Sequence, residues 1–394
     1  MRGHVGDVPR LREEPRFARL LASDFVSGVG DQLNRVAVLA LVYQVSGSGY
    51  AVSAVLVARM LATIVAAPFG AVLADWLPRR DVLVVSGLVR MIVALAMVFS
   101  HGLVLLIALV ALLEALSALS TPARSALIPH LVREHRVMWA NGLDQGMFGL
   151  IMAVGSFAGG AALALIGTSG AFVANSASFL LSSLLLLGLP RGIPGGGAEK
   201  RDRRLLAALP ALADPGLRLS VLLSAVWPLA GGALSVLITA YSFDTFHAGG
   251  FGIGLLYSAL GAGYLVGGVA IGRLPALARV RPTRIAPVSF AVEGVCHVLV
   301  SQSPTLWLAT GLLFAGACSA ACGNAAIGKL LMGAPDDVRG RVIGISKGLA
   351  ACGQITSMAV AGVLLEAAGA RPVGFGSGAL LVVLVVVTGW MVRR

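Results

Sequence analysis

The stretch PFGAVLADWLPRRDVLV (Pro68–Val84) sets an acid, a proline and two arginines between apolar runs. An apolar run of about 20 residues crosses a ~30 Å hydrocarbon layer as a helix, so the stretch reads as a turn between two membrane spans. Outward from it, similar runs follow one another from Phe17 to Val392. We count twelve, at approximately 17–43, 50–74, 81–100, 103–121, 140–166, 171–189, 219–243, 251–272, 285–301, 304–330, 342–366 and 372–392. The composition agrees: 57% of residues are hydrophobic and 12% charged, against about 45–50% apolar in soluble domains. Mean hydropathy is +0.90. An all-α membrane protein with twelve transmembrane helices is expected. No cleavable signal peptide is expected, because the first twenty residues carry five arginines and no short apolar core with a small-residue cleavage site.

A net charge of +12 would suggest a nucleic-acid partner in a soluble chain. The positions of the basic residues say otherwise. With the N-terminus placed inside, 25 of the 30 Lys and Arg fall in inside segments, Arg371 alone falls outside, and Arg35, Arg59, Arg90 and Lys347 lie within helices. Positive residues stay on the cytoplasmic side, so both termini are expected there, in a multi-pass protein of the cell membrane. The basic balance then implies contact with membrane lipid and no nucleic acid.

Between the sixth and seventh runs stands PRGIPGGGAEKRDRR (Pro190–Arg204), rich in Gly, Pro and charge, which reads as a linker. The expected organisation is a cytoplasmic tail at 1–16, a six-helix bundle at 17–190, a linker at 191–218 and a second six-helix bundle at 219–394. A duplicated chain should carry a relic of the opening stretch one half-length on. GAVLADWLP begins at Gly70 and GGVAIGRLP at Gly267, an offset of 267 − 70 = 197, half of 394. Gly, Val, Leu and Pro coincide, and Asp75 is matched by Gly272.

On these residues the chain resembles the major facilitator superfamily, in particular its enterobactin-exporter-like and macrolide-efflux-like branch. The resemblance is carried by SGVGDQLNRVAVLALVYQVSGS (Ser27–Ser48), GAVLADWLPRR (Gly70–Arg80), TPARSALIPHLVREHRVMWANGL (Thr121–Leu143), GSFAGGAAL (Gly155–Leu163) and PDDVRGRVIGI (Pro335–Ile345). It implies two pseudo-symmetric six-helix bundles that rock about a central site. It also implies a cytoplasmic gate in which Gly70, Asp75, Arg79 and Arg80 meet the start of the eleventh span, where Arg339 and Arg341 stand. Asp75 is the candidate latch, since a carboxylate is attracted to the positive end of a helix, and a glycine allows helices to approach closely. Trp76 and Pro78 replace a basic residue and a glycine of the family pattern. In exporters of the superfamily the fifth span carries a glycine-rich motif; Gly155, Gly159 and Gly160 fit it, while Ser156 and Ile151 replace a proline and a glycine.

Ionisable residues inside spans cost roughly 2.5–3.5 kcal/mol each on insertion scales and mark candidate sites. Asp24, Asp31 and Arg35 are spaced by 7 and 4 residues, which at about 100° per residue places them in a stripe some 40° wide. Asn34 lies beside it. A carboxylate whose distance to a guanidinium changes can switch protonation, which makes the cluster a candidate proton-coupling device; an internal Asp31–Arg35 pair that only neutralises itself is the alternative. Glu114 and Glu293 are lone acids in the fourth and ninth spans, with Arg59 and Arg90 as possible opposites. Trp227, Tyr241 and Tyr257 are aromatic cavity candidates, although such residues more often pack or anchor at the interface.

GNAAIGKLL (Gly323–Leu331) approaches a phosphate-binding loop, but Leu330 occupies the Ser/Thr position and no βαβ context exists. The four cysteines and six histidines show no metal spacing. No enzymatic chemistry and no cofactor are expected. The expected function is secondary transport, with proton-driven export of a small amphipathic molecule by a monomer; the expected partners are that substrate, protons and lipid. A proton-coupled importer on the same fold and a non-transporting receptor or assembly protein stay open as alternatives.

Overall fold

The computed structural model describes residues 11–100, 102–191, 210–273 and 280–393. Helix α1 (Pro15–Ser46) begins with a proline, whose missing N–H is no loss in a first turn, and ends on left-handed Gly47, whose N–H bonds the Tyr43 carbonyl. The Ser48 hydroxyl then accepts the Ala51 N–H and starts α2 (Gly49–Trp76). The opening stretch is the turn it promised: α2 stops at Trp76, Leu77 is extended, and Pro78 precedes α3 (Arg79–Ala96).

Next come α4 (Leu103–Leu131) and α5 (Val137–Leu187). At about 1.5 Å per residue, the 51 residues of α5 would extend far beyond one bilayer. Gly167, at φ 66° and ψ −175°, is not helical and bends α5 into limbs 137–166 and 168–187, the expected fifth and sixth spans. A non-glycine residue would be strained at that φ. The expected linker at 191–218 lies largely outside the described residues. Asp214 caps α6 (Pro215–Gly231), which is followed by α7 (Leu234–Ala240) and a π-helical turn, Tyr241–Thr245. Then follow α8 (Gly249–Arg273), α9 (Pro282–Ser301), α10 (Leu306–Met332), α11 (Asp336–Ala368) and α12 (Ala370–Arg393). Among the described residues eleven stretches are long and apolar enough to span, with α6, α7 and the π-turn together forming one. Counting α5 as two gives twelve.

The packing repeats after six spans. In the first half α1 lies along α5, α2 against α4, and α3 against α4 and α5; in the second, α6 lies against α11 and α12, α8 against α10, and α9 against α10 and α12. The duplicated glycines fall on equivalent crossings. A Cβ at Gly70 would come 2.7 Å from the Leu119 carbonyl of α4, and one at Gly267 would come 2.9 Å from the Ala321 Cβ of α10. Close packing of small residues replaces the hydrophobic drive that lipid cannot supply. Outward faces carry exposed apolar side chains such as Val65, Phe69, Val104, Leu165 and Val363, as a lipid-facing surface requires.

The halves meet along α5–α8 and α2–α11. At the end opposite the termini they are bolted together. The Ser48 hydroxyl donates to Glu366 Oε1 at 2.6 Å, Ser53 donates to the Met358 carbonyl at 2.6 Å, and the Tyr43 hydroxyl donates to Asp244. Towards the end that bears the termini they part: a Cβ on Gly142, Gly146, Gly268, Gly340, Gly344 or Gly348 would meet nothing within 4 Å. The interior therefore opens on one side only.

Candidate functional site

Two cavities occupy the gap, of about 590 Å³ and about 640 Å³, each within the range of roughly 300–1,000 Å³ usual for small-molecule sites. They share Arg35, Gln145 and Phe148. The first holds Asp24, Asp31, Asn34, Arg35, Arg59, Arg90 and Glu114, so the charged stripe of α1 faces a cavity and the charges of α2, α3 and α4 converge on it.

Which charges pair is another matter. Asp31 does not pair with Arg35. One terminal nitrogen of Arg90 on α3 donates to both Asp31 oxygens, at 2.9 and 2.7 Å. The guanidinium lies 4.1 Å from the centroid of the Phe179 ring, which fixes it across from α1. Arg59 on α2 pairs with Glu114 on α4, one of the two opposites anticipated. Arg35 is left without a hydrogen bond or ion pair among the described residues and lines both cavities. Asn34 is buried, and its Oδ1 has no partner among the described residues.

Nearer the open end stands a triad the sequence reading missed. Arg124 bonds Asp24 through Nε at 2.9 Å and a terminal nitrogen at 2.7 Å, and also pairs with Asp144 on α5. The expected fourth span ends at 121 and leaves Arg124 in the inside segment that follows, whereas α4 runs ten residues further and holds Arg124, with Pro122 and Pro129, inside it.

Glu293 has no arginine. Its Oε2 accepts the Trp227 indole N–H at 2.6 Å, its Oε1 lies 3.8 Å from His297 Nε2, and it is 4% exposed. Arg90, its suggested opposite, is committed to Asp31 in the other bundle. Glu293, His297 and Trp227 line the larger cavity with Tyr257, Tyr264, Asn324 and Gln354. The break at Gly231–Gly232 between α6 and α7 lines it too, in keeping with the rule that irregular backbone at membrane depth borders cavities. Tyr241 does not reach it and is buried in the core.

The gate residues are arranged differently from the expectation. Arg79 donates to the Ala126 carbonyl of α4 at 2.8 Å, and Arg80 to the Leu187 carbonyl at the end of α5 at 2.6 Å. Both are buried within their own bundle, Arg80 capping the end of α5 and Arg79 bonding the last turns of α4. Gly70 likewise serves the α2–α4 crossing rather than an approach between halves. Asp75 makes no hydrogen bond or ion pair among the described residues, and Arg339 donates to Ala334 of its own segment at 2.9 Å. In the fifth-span motif, a Cβ at Gly155 would come 2.8 Å from Gln32 Cβ and one at Gly159 2.9 Å from Leu33 Cα, so both glycines serve the α1–α5 crossing. Gly160 instead faces α8, where its Cβ would lie 3.1 Å from the Phe251 carbonyl.

Comparison with known proteins agrees with this architecture. The family model described as Major Facilitator Superfamily matches residues 20–274. The uncharacterized MFS-type transporter YfiS of Bacillus subtilis (strain 168) is 27% identical over 186 residues, a stretch covering 47% of this chain and 45% of that relative. The matched stretch thus spans under half of the relative's length. Among solved structures, a bacterial homologue of the iron transporter ferroportin in its inward-facing state superposes with a TM-score of 0.75 at 16% identity, over 98% of this chain and 100% of that one. The nucleoside transporter NupG gives 0.70 at 14% over 96% and 100%. A POT family transporter in complex with 5-aminolevulinic acid gives 0.73 at 12% over 95% and 96%. At such identities the likeness is one of fold.

Proposed function

Since the chain belongs to the Major Facilitator Superfamily, and is thus a multi-pass membrane transporter rather than an enzyme, we propose that it exports a small amphipathic molecule in exchange for protons. The observation that carries this reading is the set of three carboxylates, Asp24, Asp31 and Glu114, each held by an arginine from another helix around a cavity open on one side. An acid at membrane depth is tolerated when paired or protonated. Asp31 and Arg90 lie in the same bundle and rock together, so it is the change in the side from which water and substrate reach the pair, not their separation, that sets its protonation; a proton taken up on one side and released on the other couples the gradient to the change of access.

With the termini cytoplasmic, as the distribution of Lys and Arg supports, the conformation described is inward-open and ready to load from the cytoplasm. The apolar and aromatic lining of the larger cavity suits an amphipathic substrate, and the chain works as a monomer in contact with lipid. The test is transport in vesicles of both orientations. Export predicts substrate accumulation in inverted vesicles driven by an inward-acid gradient, and Asp31→Asn should abolish the response to that gradient. An Asp31→Asn protein that transports at full rate with unchanged pH dependence would sink the mechanism. Accumulation only in right-side-out vesicles would make the protein an importer.

A further inference from the structure

Five carboxylates line the two cavities: Asp24, Asp31, Glu114 and Asp144 in one, Glu293 in the other. The first four each hold an arginine. Glu293 alone has no Lys or Arg within ion-pair distance among the described residues, although it is 4% exposed in the interior of a spanning helix. Only one of its oxygens is satisfied. Oε2 takes the Trp227 N–H, whereas Oε1 takes no hydrogen bond among the described residues and stands 3.8 Å from the nearest His297 nitrogen. Glu293 lines the larger cavity, so a molecule held there finds a carboxylate oxygen without a hydrogen bond among the described residues. Its surroundings are built: the Trp227 ring stacks on Phe290 with centroids 5.5 Å apart, which holds the indole N–H in place.

We infer that Glu293 is the subsite for a positively charged amine on the transported molecule, with Oε1 as acceptor and the aromatic wall of Trp227, Tyr257 and Tyr264 against its apolar body. This rests on the transport reading and names the substrate class within it. The charge pattern favours this end of the cavity for a cation. The acids of the other bundle are each held by an arginine, Asp24 and Asp144 sharing Arg124, and Arg35, which lines the same cavity as Glu293, repels a cation from the opposite wall. An amphipathic amine is therefore oriented with its charge towards α9.

A protonated Glu293 offers no charge to the amine, so proton and substrate exclude one another at this group. The other titratable groups near it are His297 and Cys296 on α9 and Tyr264 on α8, with Arg35 across the cavity. The neighbouring helices α6, α10 and α12 present Trp227, Asn324 and Val382, which do not ionise.

Rhodamine 6G, an amphipathic cation of fixed charge, tests the proposal by fluorescence polarisation on the full chain in detergent. The unaltered protein should bind it saturably and about tenfold more tightly near pH 8 than near pH 6. Glu293→Gln should bind at least about tenfold more weakly near pH 8 and without pH dependence, while Glu293→Asp recovers part of both. His297→Asn should keep the tightening with pH. Absence of saturable binding by the unaltered protein, Glu293→Gln within about twofold of it, or a pH dependence lost with His297→Asn but kept with Glu293→Gln would each overturn the proposal. Failure of the Asp31 experiment would remove the coupling mechanism and leave this binding result standing, so the two can fail separately.

Discussion

At the scale of single residues, the arrangement of charge rests on arginines reaching across helices. Arg124 shows how much hangs on one of them, since it is shared by Asp24 and Asp144. In Arg124→Ala these two acids lose their common cation. The side chains concerned are 25%, 19% and 16% exposed, so the loss should lie between surface and fully buried values, about 2 kcal/mol. A fall in melting temperature of roughly 2–5 °C near pH 8 is expected in a detergent thermal melt. Lowering the pH should narrow the gap. Protonation weakens the triad in the unaltered protein and relieves the repulsion in the variant, so the two curves converge in acid; parallel curves would refute this account of the triad. The α1 acids were legible beforehand, because their spacing along one helix is a local property. Their partners were not. Asp31 meets Arg90 through a separation of 59 residues, and nothing in the spacing of either helix distinguishes that contact from the nearer Asp31–Arg35 alternative.

At the scale of helices, the spans could be read from apolar runs with ends good to a few residues, except where proline and glycine were ambiguous. Pro122 and Pro129 remain inside α4, whereas Gly167 bends α5 and Gly231–Gly232 divides α6 from α7. The difference is one of surroundings. Neighbouring helices and the cavity satisfy or tolerate freed backbone groups in the folded bundle, and a single run of sequence carries no sign of which neighbour will be there. The glycines of α5 provide a test. A valine at Gly159 places its Cβ about 2.9 Å from the Leu33 backbone and should force α1 from α5, lowering stability by about 1–3 kcal/mol. Valine at Gly146, which faces open space, should leave the melting temperature within about 1 °C of the parent. Equal losses at both positions would mean that the crossing does not depend on glycine.

At the scale of the whole molecule, closure at one end and opening at the other are what the proposed rocking of the two halves requires of one of its states. The bolts between Ser48 and Glu366 and between Tyr43 and Asp244 tie the halves together opposite the termini, while at the terminal end Asp75 makes no hydrogen bond or ion pair among the described residues. Hydrogen bonds of this kind contribute about 1 kcal/mol each, so removing both should favour the other state by roughly 2 kcal/mol, a shift of about thirtyfold in the ratio of states. The variant Tyr43→Phe with Glu366→Ala is the means, since alanine offers Ser48 no acceptor. Spin labels at residues 76 and 340, exposed neighbours of Asp75 and Arg339, in a protein whose four cysteines have been replaced, should show the distance at the terminal end shortening in that variant. Labels at 50 and 363 should show the opposite end widening in the same population. Asp75 would then come within reach of the helix start that its position in the opening stretch suggested, and Asp75→Asn in the bolt-free background should return the distances towards those of the parent. Independent movement of the two ends would refute rigid rocking, and indifference to Asp75→Asn would remove that residue from the gate while leaving the rocking intact.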